Sequence, residues 1–257
     1  MAQIDSVGFN ASRLPSPKEY KKPTPRANFF KNIVLILFFS SFVFFAVNLP
    51  AFFVITGYRI NPHKFAKEVP DIQNAVVVAL NQGGGVVEST QNPNPNQPSS
   101  SATATPQKTP VASKGVKQYA DSTLFIPKIG VEAPIGWDVG ENDIMGALEK
   151  NLAHISGTGK PSEGKNIFVT GHSSNYWWKS GDFKTVFALL PELKENDEIF
   201  ITYKGKFYKY VVSKTEEVGK NDVSNYIDSD KEQLTLMTCV PVGTNLRRLL
   251  VIAKPAE

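Results

Sequence analysis

Three side chains in the second half of the chain could together perform thiol chemistry. Cys239, the one cysteine of the sequence, closes the alternating segment LTLMTC, and His172 follows the apolar run NIFVT and Gly171. Arg248 and its neighbour Arg247 come after a turn beyond the cysteine. If these segments are adjacent strands, the cysteine could attack a carbonyl, the histidine could move the proton and an arginine could stabilise the oxyanion. The pattern therefore indicates acyl transfer.

The same side chains also fit a purely structural interpretation. A lone cysteine in a strand is commonly a small buried hydrophobic residue. A lone histidine commonly satisfies a local hydrogen bond, and an arginine at the start of a strand is commonly solvated. Spacing alone leaves the catalytic and the structural interpretation open.

The composition excludes several other kinds of site. One cysteine rules out an intramolecular disulfide framework and a structural zinc site built from several cysteines. The three histidines lack the HExxH spacing of zinc proteases, and the sequence contains neither GxxxxGK[ST] nor GxGxxG. We therefore expect no cofactor and no catalytic metal.

The distribution of charge argues against a nucleic-acid partner. The formal net charge is +4, and this whole excess lies in residues 1–31. The rest of the chain contains as many basic as acidic residues, so it offers no basic excess for a phosphate backbone. Residues 1–31 are instead expected to form a basic tail beside a membrane segment.

An uncharged stretch at residues 32–58 predicts a transmembrane helix. Its apolar core, residues 33–55, is long enough to cross a hydrocarbon layer of about 30 Å. A cleavable signal peptide is the alternative, but its apolar region is about 7–15 residues long and ends in small residues, whereas this one ends in LPAFF. We expect an uncleaved signal anchor, with the basic N-terminus in the cytoplasm and the remainder outside.

Residues 59–117 are expected to form an extracellular spacer. Residues 75–80 could end a short helix or form a strand, but the chain then becomes rich in Pro, Ser and Thr and lacks aromatic residues. Such a composition cannot bury enough apolar surface to offset the entropy of ordering. The spacer would hold a folded domain away from the membrane.

Residues 118–257 carry the signals of a folded, mainly β domain. Apolar or alternating runs predict strands, Lys204-Gly205 predicts a hairpin turn, and the apolar spacing at 183–193 predicts a short helix. The predicted strands are residues 124–129, 131–135, 166–170, 198–203, 206–213, 234–238 and 249–253. Many short strands with one or two short helices indicate a β-barrel of about 140 residues.

The motifs of this domain resemble those of the sortases, membrane-anchored cysteine transpeptidases of bacterial surfaces. The resemblance covers residues 121–257 and rests on four segments that occur in the family order. They are LFIPKIGVEAPI at 124–135, HISGTGKPSEGKNIFVTGH at 154–172, TLMTC at 235–239 and RLLV at 248–251. TLMTC matches the TLxTC signature of the family, which is the most specific of the four.

The resemblance implies an eight-stranded β-barrel with the site at one end. It makes Cys239 the nucleophile and His172 the general acid/base. Arg248 would stabilise the oxyanion or position the substrate, and Arg247 is the weaker choice for that role. Thr238 would help to shape the groove that binds the substrate peptide.

The same resemblance implies cleavage of an LPxTG-like sorting signal between Thr and Gly through a thioacyl-enzyme. The partners would be sorting-signal proteins and an acceptor amine of peptidoglycan or of a pilin subunit. The enzyme would be a single-pass protein of the bacterial cell membrane with its catalytic domain outside. His154 matches a histidine that is frequent in the family, and we expect a structural role for it. Without a second membrane helix or a lid motif, a housekeeping-like or class D/E-like member is expected.

Two alternatives belong to other classes. An L,D-transpeptidase is also a wall-facing thiol enzyme, but its nucleophile lies in a Ser-x-Gly-Cys context, whereas LMT precedes Cys239 here. A membrane-anchored adhesin or scaffold would bury Cys239 as an inert residue. Thiol labelling that depends on His172 or Arg248 would favour the enzyme.

Overall fold

The computed structural model describes residues 25–70, 72, 75–78 and 117–256. Most of the predicted tail at 1–31 and of the predicted spacer at 59–117 lies outside the described residues. Within the described residues, two helices precede a closed β-barrel.

The apolar stretch is divided into two helices at Asn48. Helix α1 spans Pro25–Val47 and helix α2 spans Leu49–Ile60, whereas the sequence predicts one continuous span. Pro50 explains the division, because it has no backbone N–H with which to continue the first helix. It is tolerated in the first turn of the second helix, where the N–H groups have no intrahelical partner.

The first helix is the one that fits a membrane span. In the described part of the chain, one helical segment, Asn28–Val47, is long and apolar enough to cross a bilayer, which fits a single-pass anchor. The predicted span at 32–58 extends into α2, but α2 packs one face on the barrel core. Ala51 and Tyr58 on this face are buried, whereas Phe53 is exposed. The end of the predicted span therefore packs against the folded domain.

Ten strands follow α2 among the described residues, and eight of them close a barrel. In chain order they are β1 (Ala75–Val78), β2 (Lys117–Ala120), β3 (Thr123–Ile126), β4 (Val131–Val139), β5 (Leu152–Ile155), β6 (Asn166–Thr170), β7 (Glu198–Tyr203), β8 (Lys206–Gly219), β9 (Gln233–Val240) and β10 (Arg247–Pro255). Two short helices, α3 (Ile144–Ala147) and α4 (Ser224–Ile227), lie between strands.

The barrel order is β10-β8-β7-β3-β4-β5-β6-β9. Neighbouring strands are antiparallel except for β4 with β5 and β6 with β9, which are parallel. β1 and β2 form a separate parallel pair. The predicted mainly β barrel with eight strands and short helices is confirmed.

Burial explains which strands are apolar throughout. Every residue of β3 and of β6 is buried, so neither strand alternates between apolar and polar residues. Their inner side chains belong to the main barrel core. On the outer side of the barrel, Phe168 of β6 packs with Val218, Val223 and Leu250 in a second, smaller cluster.

The hairpin predicted at Lys204-Gly205 is confirmed. β7 and β8 pair in antiparallel register from Glu198↔Val211 to Tyr203↔Lys206. The two turn residues have φ values of 48° and 76°, and positive φ at both positions is what a two-residue type I′ turn requires. Glycine at the second position adopts this conformation without a steric cost.

The helix predicted at 183–193 is wrong. These residues form consecutive turns that end in a 3-10 helix over Leu190–Glu192. The N–H of Phe187 donates to the carbonyl of His172 at 2.9 Å instead of bonding within a helix, and Pro191 has no N–H to donate. The apolar spacing instead reflects burial of side chains such as Phe187 in the core.

Candidate active site

The register of β9 and β10 places an arginine opposite the cysteine. Arg248 pairs with Cys239, and Arg247 pairs with Val240. Directly opposed residues of an antiparallel pair project to the same face, with Cβ atoms about 4.5–5.5 Å apart. Arg248 therefore shares the face of Cys239, and Arg247 does not. Cys239 is half-buried, so its side chain is partly accessible.

The two arginines also differ in their partners. Arg247 is engaged by Glu217, because its Nη2 donates to the backbone carbonyl at 2.9 Å and its Nε lies 3.6 Å from the carboxylate. Arg248 donates from Nη1 to the carbonyls of Asn245 and Arg247, each at 3.2 Å. Among the described residues, no carboxylate forms a salt bridge with Arg248. Its charge can therefore act on an anion that develops beside Cys239.

His172 follows β6, the other neighbour of β9, and lies two residues beyond the end of that strand. β6 runs parallel to β9 with Thr170 opposite Met237, and the N–H of Gly171 donates to the carbonyl of Met237 at 3.1 Å. His172 comes two residues after Thr170 and Cys239 two residues after Met237, so both lie at the same end of this parallel pair. The structure thus brings the predicted thiol, imidazole and guanidinium to one end of the barrel.

Thr238 connects the segment that carries the thiol to the segment that carries the imidazole. Its hydroxyl donates to the carbonyl of Gly171 at 2.9 Å, and the residue is 1% exposed. This bond links the residue before the cysteine to the residue before the histidine. The observed contact is internal, and the role of Thr238 in a peptide groove stays a prediction.

The surroundings of His172 favour its neutral form. Burial lowers the pKa of the imidazole below its ordinary value, and the carboxylate of Glu149 acts in the opposite direction. The amide nitrogen of Asn175 lies 3.4 Å from Nε2 of His172. Since an amide N–H can only donate, Nε2 is the acceptor in this contact. A neutral imidazole of this kind can accept a proton from a thiol.

Replacing Glu149 with glutamine is expected to lower the pKa of His172 further. The carboxylate stabilises the protonated imidazole, so its removal leaves the effect of burial less opposed. An NMR titration of the imidazole resonances would show the midpoint moving to lower pH. Glu163→Gln is the matched control, because Glu163 acts on the pKa of His154 and not on that of His172. An unchanged midpoint in Glu149→Gln would contradict this electrostatic account.

The contacts of His154 are structural. The side chain is fully buried on β5. Its Nδ1 accepts a hydrogen bond from the backbone N–H of Asp138 at 3.1 Å, and its Nε2 donates to the carbonyl of Gly159 at 2.8 Å. Both ring nitrogens are therefore used within the protein, which agrees with the structural role expected from the sequence.

Replacing His154 with alanine is expected to destabilise the domain by about 2–4 kcal/mol, because Asp138 N–H and Gly159 carbonyl lose their buried partner. Burial lowers the pKa of His154, so below about pH 6.5 the unfolded chain takes up a proton that the folded chain does not. Stability therefore falls as the pH drops through this window, and less steeply in the variant. Thermal unfolding between pH 5 and 8 measures both effects. The exposed His63→Ala is the control, and equal stability of the two variants would refute the assignment.

Sequence reasoning missed the polar contacts that join the loops around the site. Gly243, in the loop between β9 and β10, donates its N–H to Oγ of Ser174 at 3.1 Å. Asn175, the next residue, contacts His172. The polar run after Gly171-His172 was the available sequence signal. It could not show that this run meets a loop 69 residues further along the chain.

Metal-binding potential is low at the site and elsewhere in the described ranges. No group of three or more His, Cys, Asp or Glu side chains among these residues is arranged to hold an ion. The expectation that the chemistry needs no metal stays a prediction. Full activity in the presence of a chelator would support it, and loss of activity that calcium restores would contradict it.

Fold and site together define a closed β-barrel protein with a cysteine, a histidine and an arginine at one end. The sortase domain family matches residues 124–256, just over half of the chain. Sortase D of Bacillus subtilis (strain 168) is 31% identical over 139 residues, which are 52% of this chain and 63% of that protein. Sortase A of Bacillus anthracis is 28% identical over 138 residues, 52% of this chain and 59% of that protein. Among solved structures, a lid mutant of sortase A from Corynebacterium diphtheriae is 30% identical, covers 52% of this chain and 69% of that one, and has a TM-score of 0.45.

The chain belongs to the sortase family. The matched segment extends from β3 to the end of β10 and contains Cys239, His172 and Arg248. The similarity spans about six-tenths of the length of the two curated relatives.

Proposed function

We propose that the chain is a cysteine transpeptidase that joins a protein carrying an LPxTG-like sorting signal to an amine. The observation that carries the proposal is the placement of Arg248 opposite Cys239 on one side of β9, with His172 two residues beyond the end of β6, the strand on its other side. This arrangement supplies a nucleophile, a proton carrier and a cation around one carbonyl group. Membership of the sortase family supports the same reaction class.

In the first half-reaction, the sulfur of Cys239 attacks the carbonyl carbon of the Thr–Gly bond in the sorting signal. Neutral His172 takes the thiol proton as the C–S bond forms, and the guanidinium of Arg248 donates to the developing oxyanion. The intermediate then collapses, the C–N bond breaks, and His172 returns the proton to the leaving amine. The products are a thioester on Cys239 and a released fragment that begins with glycine.

In the second half-reaction, an acceptor amine attacks the carbonyl carbon of the thioester. His172 takes a proton from the amine, the C–S bond breaks, and the proton returns to the sulfur of Cys239. A new amide bond replaces the one that was cleaved, so the exchange needs no external energy source. We assign the acceptor to an amine of the cell wall or of a pilin subunit, and water in its place would give hydrolysis.

The N-terminal helix supports a location at the bacterial cell membrane. α1 fits a single-pass anchor, and the basic residues before it favour a cytoplasmic N-terminus. The barrel would then lie outside the cell, where sorting-signal proteins meet amine acceptors.

Peptide cleavage by the full chain in detergent micelles tests the proposal. Quenched-fluorophore LPxTG-like peptides are incubated with the wild type and with Cys239→Ala, with and without glycine, lysine or diaminopimelate-type amines. Thiol-dependent cleavage that one amine stimulates supports a transpeptidase and identifies its acceptor class. If no peptide is cleaved and the thiol resists alkylation until the protein is unfolded, the proposal is contradicted and a membrane-anchored scaffold is favoured. If no peptide is cleaved although the thiol is reactive, the LPxTG-like signal is contradicted as the substrate.

A further inference from the structure

The loop that follows His172 exposes a cluster of three consecutive aromatic residues. Tyr176, Trp177 and Trp178 are 49%, 63% and 54% exposed. The rings of Tyr176 and Trp178 stack with centroids 4.7 Å apart, and Trp177 meets Trp178 edge-on at 5.5 Å. Aromatic side chains of this size are normally largely buried. A contiguous exposed cluster of them indicates a surface that another phase or molecule covers.

A second exposed apolar residue belongs to the same end of the barrel. Leu246 lies in the loop between β9 and β10 and is 65% exposed. This loop is joined to the aromatic loop by the hydrogen bond from Gly243 N–H to Ser174 Oγ at 3.1 Å. Leu246 and the aromatic cluster therefore lie on two connected loops that flank the proposed active site. We call these four residues (Tyr176, Trp177, Trp178 and Leu246) the aromatic rim.

The apolar helix α1 ends beside these loops. Its last residue is Val47, and the next residue, Asn48, is buried with its Nδ2 donating to the carbonyl of Phe44 at 2.9 Å. Asn48 packs against Gly243: a Cβ added to this glycine would lie 2.8 Å from Cγ of Asn48. A single residue thus separates the end of the apolar helix from a loop that carries the rim.

The length of the apolar segment indicates that a hydrocarbon core would end near Val47. The segment Asn28–Val47 has 20 residues, and at 1.5 Å per residue it spans about 30 Å, the thickness of a hydrocarbon core. Its end near Val47 would then lie at the boundary between hydrocarbon and headgroups. Trp and Tyr are enriched at this boundary, because their rings are apolar and their N–H and O–H groups are polar. Lys184, whose Nζ donates to the carbonyl of Trp177 at 3.3 Å, adds an ammonium group that suits the headgroup layer.

We propose that the aromatic rim inserts into the headgroup region of the lipid bilayer and holds the mouth of the active site at the membrane surface. The occupant of the rim is the bilayer that α1 is long and apolar enough to enter. This inference goes beyond the proposed function, because it concerns where the site is held and not which bond is cleaved.

Quenching of tryptophan fluorescence by brominated lipid tests the proposal in the full chain. The chain has three tryptophans, and Trp137→Phe leaves the two of the rim, while Trp177→Phe/Trp178→Phe leaves Trp137 alone. Trp137 packs between His154 and Tyr203 in the barrel. Each variant is reconstituted into phosphatidylcholine vesicles, with and without bromine near the glycerol end of the acyl chains. Bromine quenches on contact, so Trp137→Phe should lose about half of its emission or more, and the double variant less than about a tenth.

Two outcomes of the fluorescence measurement would contradict the proposal. Equal emission of Trp137→Phe in both lipids would show that the rim does not reach the bilayer. If that emission is also changed by an LPxTG-like peptide, the rim belongs to a peptide groove instead. Phenylalanine preserves ring packing, and matched thermal unfolding of the variants confirms that the fold is intact. The readout needs no turnover and can be repeated in Cys239→Ala, so its failure is distinct from failure of the proposed reaction.

Discussion

Replacing Cys239 with alanine is expected to reduce peptide cleavage and amine transfer by about 10⁴-fold or more. The thioester cannot form without the thiol, and the sequence has no second cysteine that could substitute. His172 and Arg248 would remain in place, but they would have no nucleophile to activate. Any residual cleavage would require direct attack by water.

The covalent intermediate provides the most direct measurement. Mass spectrometry of the wild type mixed with substrate should show the mass of the acyl group, and hydroxylamine should remove it. The variant should show neither. Because the chain has one cysteine, iodoacetamide should label the wild type once and the variant not at all. Cys239 is half-buried, so alanine should change the free energy of unfolding by no more than about 1 kcal/mol. Cleavage by the variant at the wild-type rate would remove Cys239 from the mechanism.

Replacing Arg248 with alanine is expected to lower kcat by about 10²–10³-fold, the usual cost of losing an oxyanion donor. Arg247→Ala is the matched control, and its rate should stay within about threefold of the wild type. The reason is geometric, because Arg248 is opposite Cys239 whereas Arg247 is opposite Val240. The guanidinium of Arg247 also contacts the carbonyl and the carboxylate of Glu217, so it is directed away from Cys239.

Steady-state kinetics of both arginine variants separate a role in the transition state from a role in binding. Loss of kcat with little change in KM would support stabilisation of the oxyanion by Arg248. A rise in KM alone would assign it to substrate positioning. Arg248→Lys should restore part of the rate, because lysine keeps the charge but lacks the planar fork of donors. Equal losses in Arg248→Ala and Arg247→Ala would contradict the assignment from register.

Several elements could be predicted from the sequence because their signals are local. The hairpin at Lys204-Gly205 needs positive φ at neighbouring positions, and β6 is a short apolar run with a defined end. The alternation of residues in strands indicates that only one of the two arginines can share the face of Cys239, and the resemblance to the sortases selects Arg248. These features depend on a few adjacent residues, so the sequence alone is enough to predict them.

Other features depend on contacts between distant parts of the chain and could not be predicted. The apolar spacing at 183–193 favoured a helix, but Phe187 donates its N–H to His172 instead. The parallel pairing of β6 with β9 is encoded in neither strand alone. The hydrogen bond from Thr238 to Gly171 follows from that pairing, so the sequence could not predict it either. Pro50 is a local signal for the break between the two helices, but the uncharged, apolar composition of residues 32–58 favours a single span.

The parallel pairing of β6 with β9 has a consequence for when the protein becomes reactive. Gly171 and Thr238 are 67 residues apart, and β9 and β10 are the last two strands of the barrel to leave the ribosome. Pairing of β9 with β10 already sets Arg248 opposite Cys239, but until β9 joins β6 the thiol has no imidazole beside it. Because such non-local pairing is slow to form, the proposed reactivity would appear only once β9 has joined β6. In the proposed topology, a nascent chain would therefore cross the membrane with an inert cysteine and become able to react with other proteins only once it is folded.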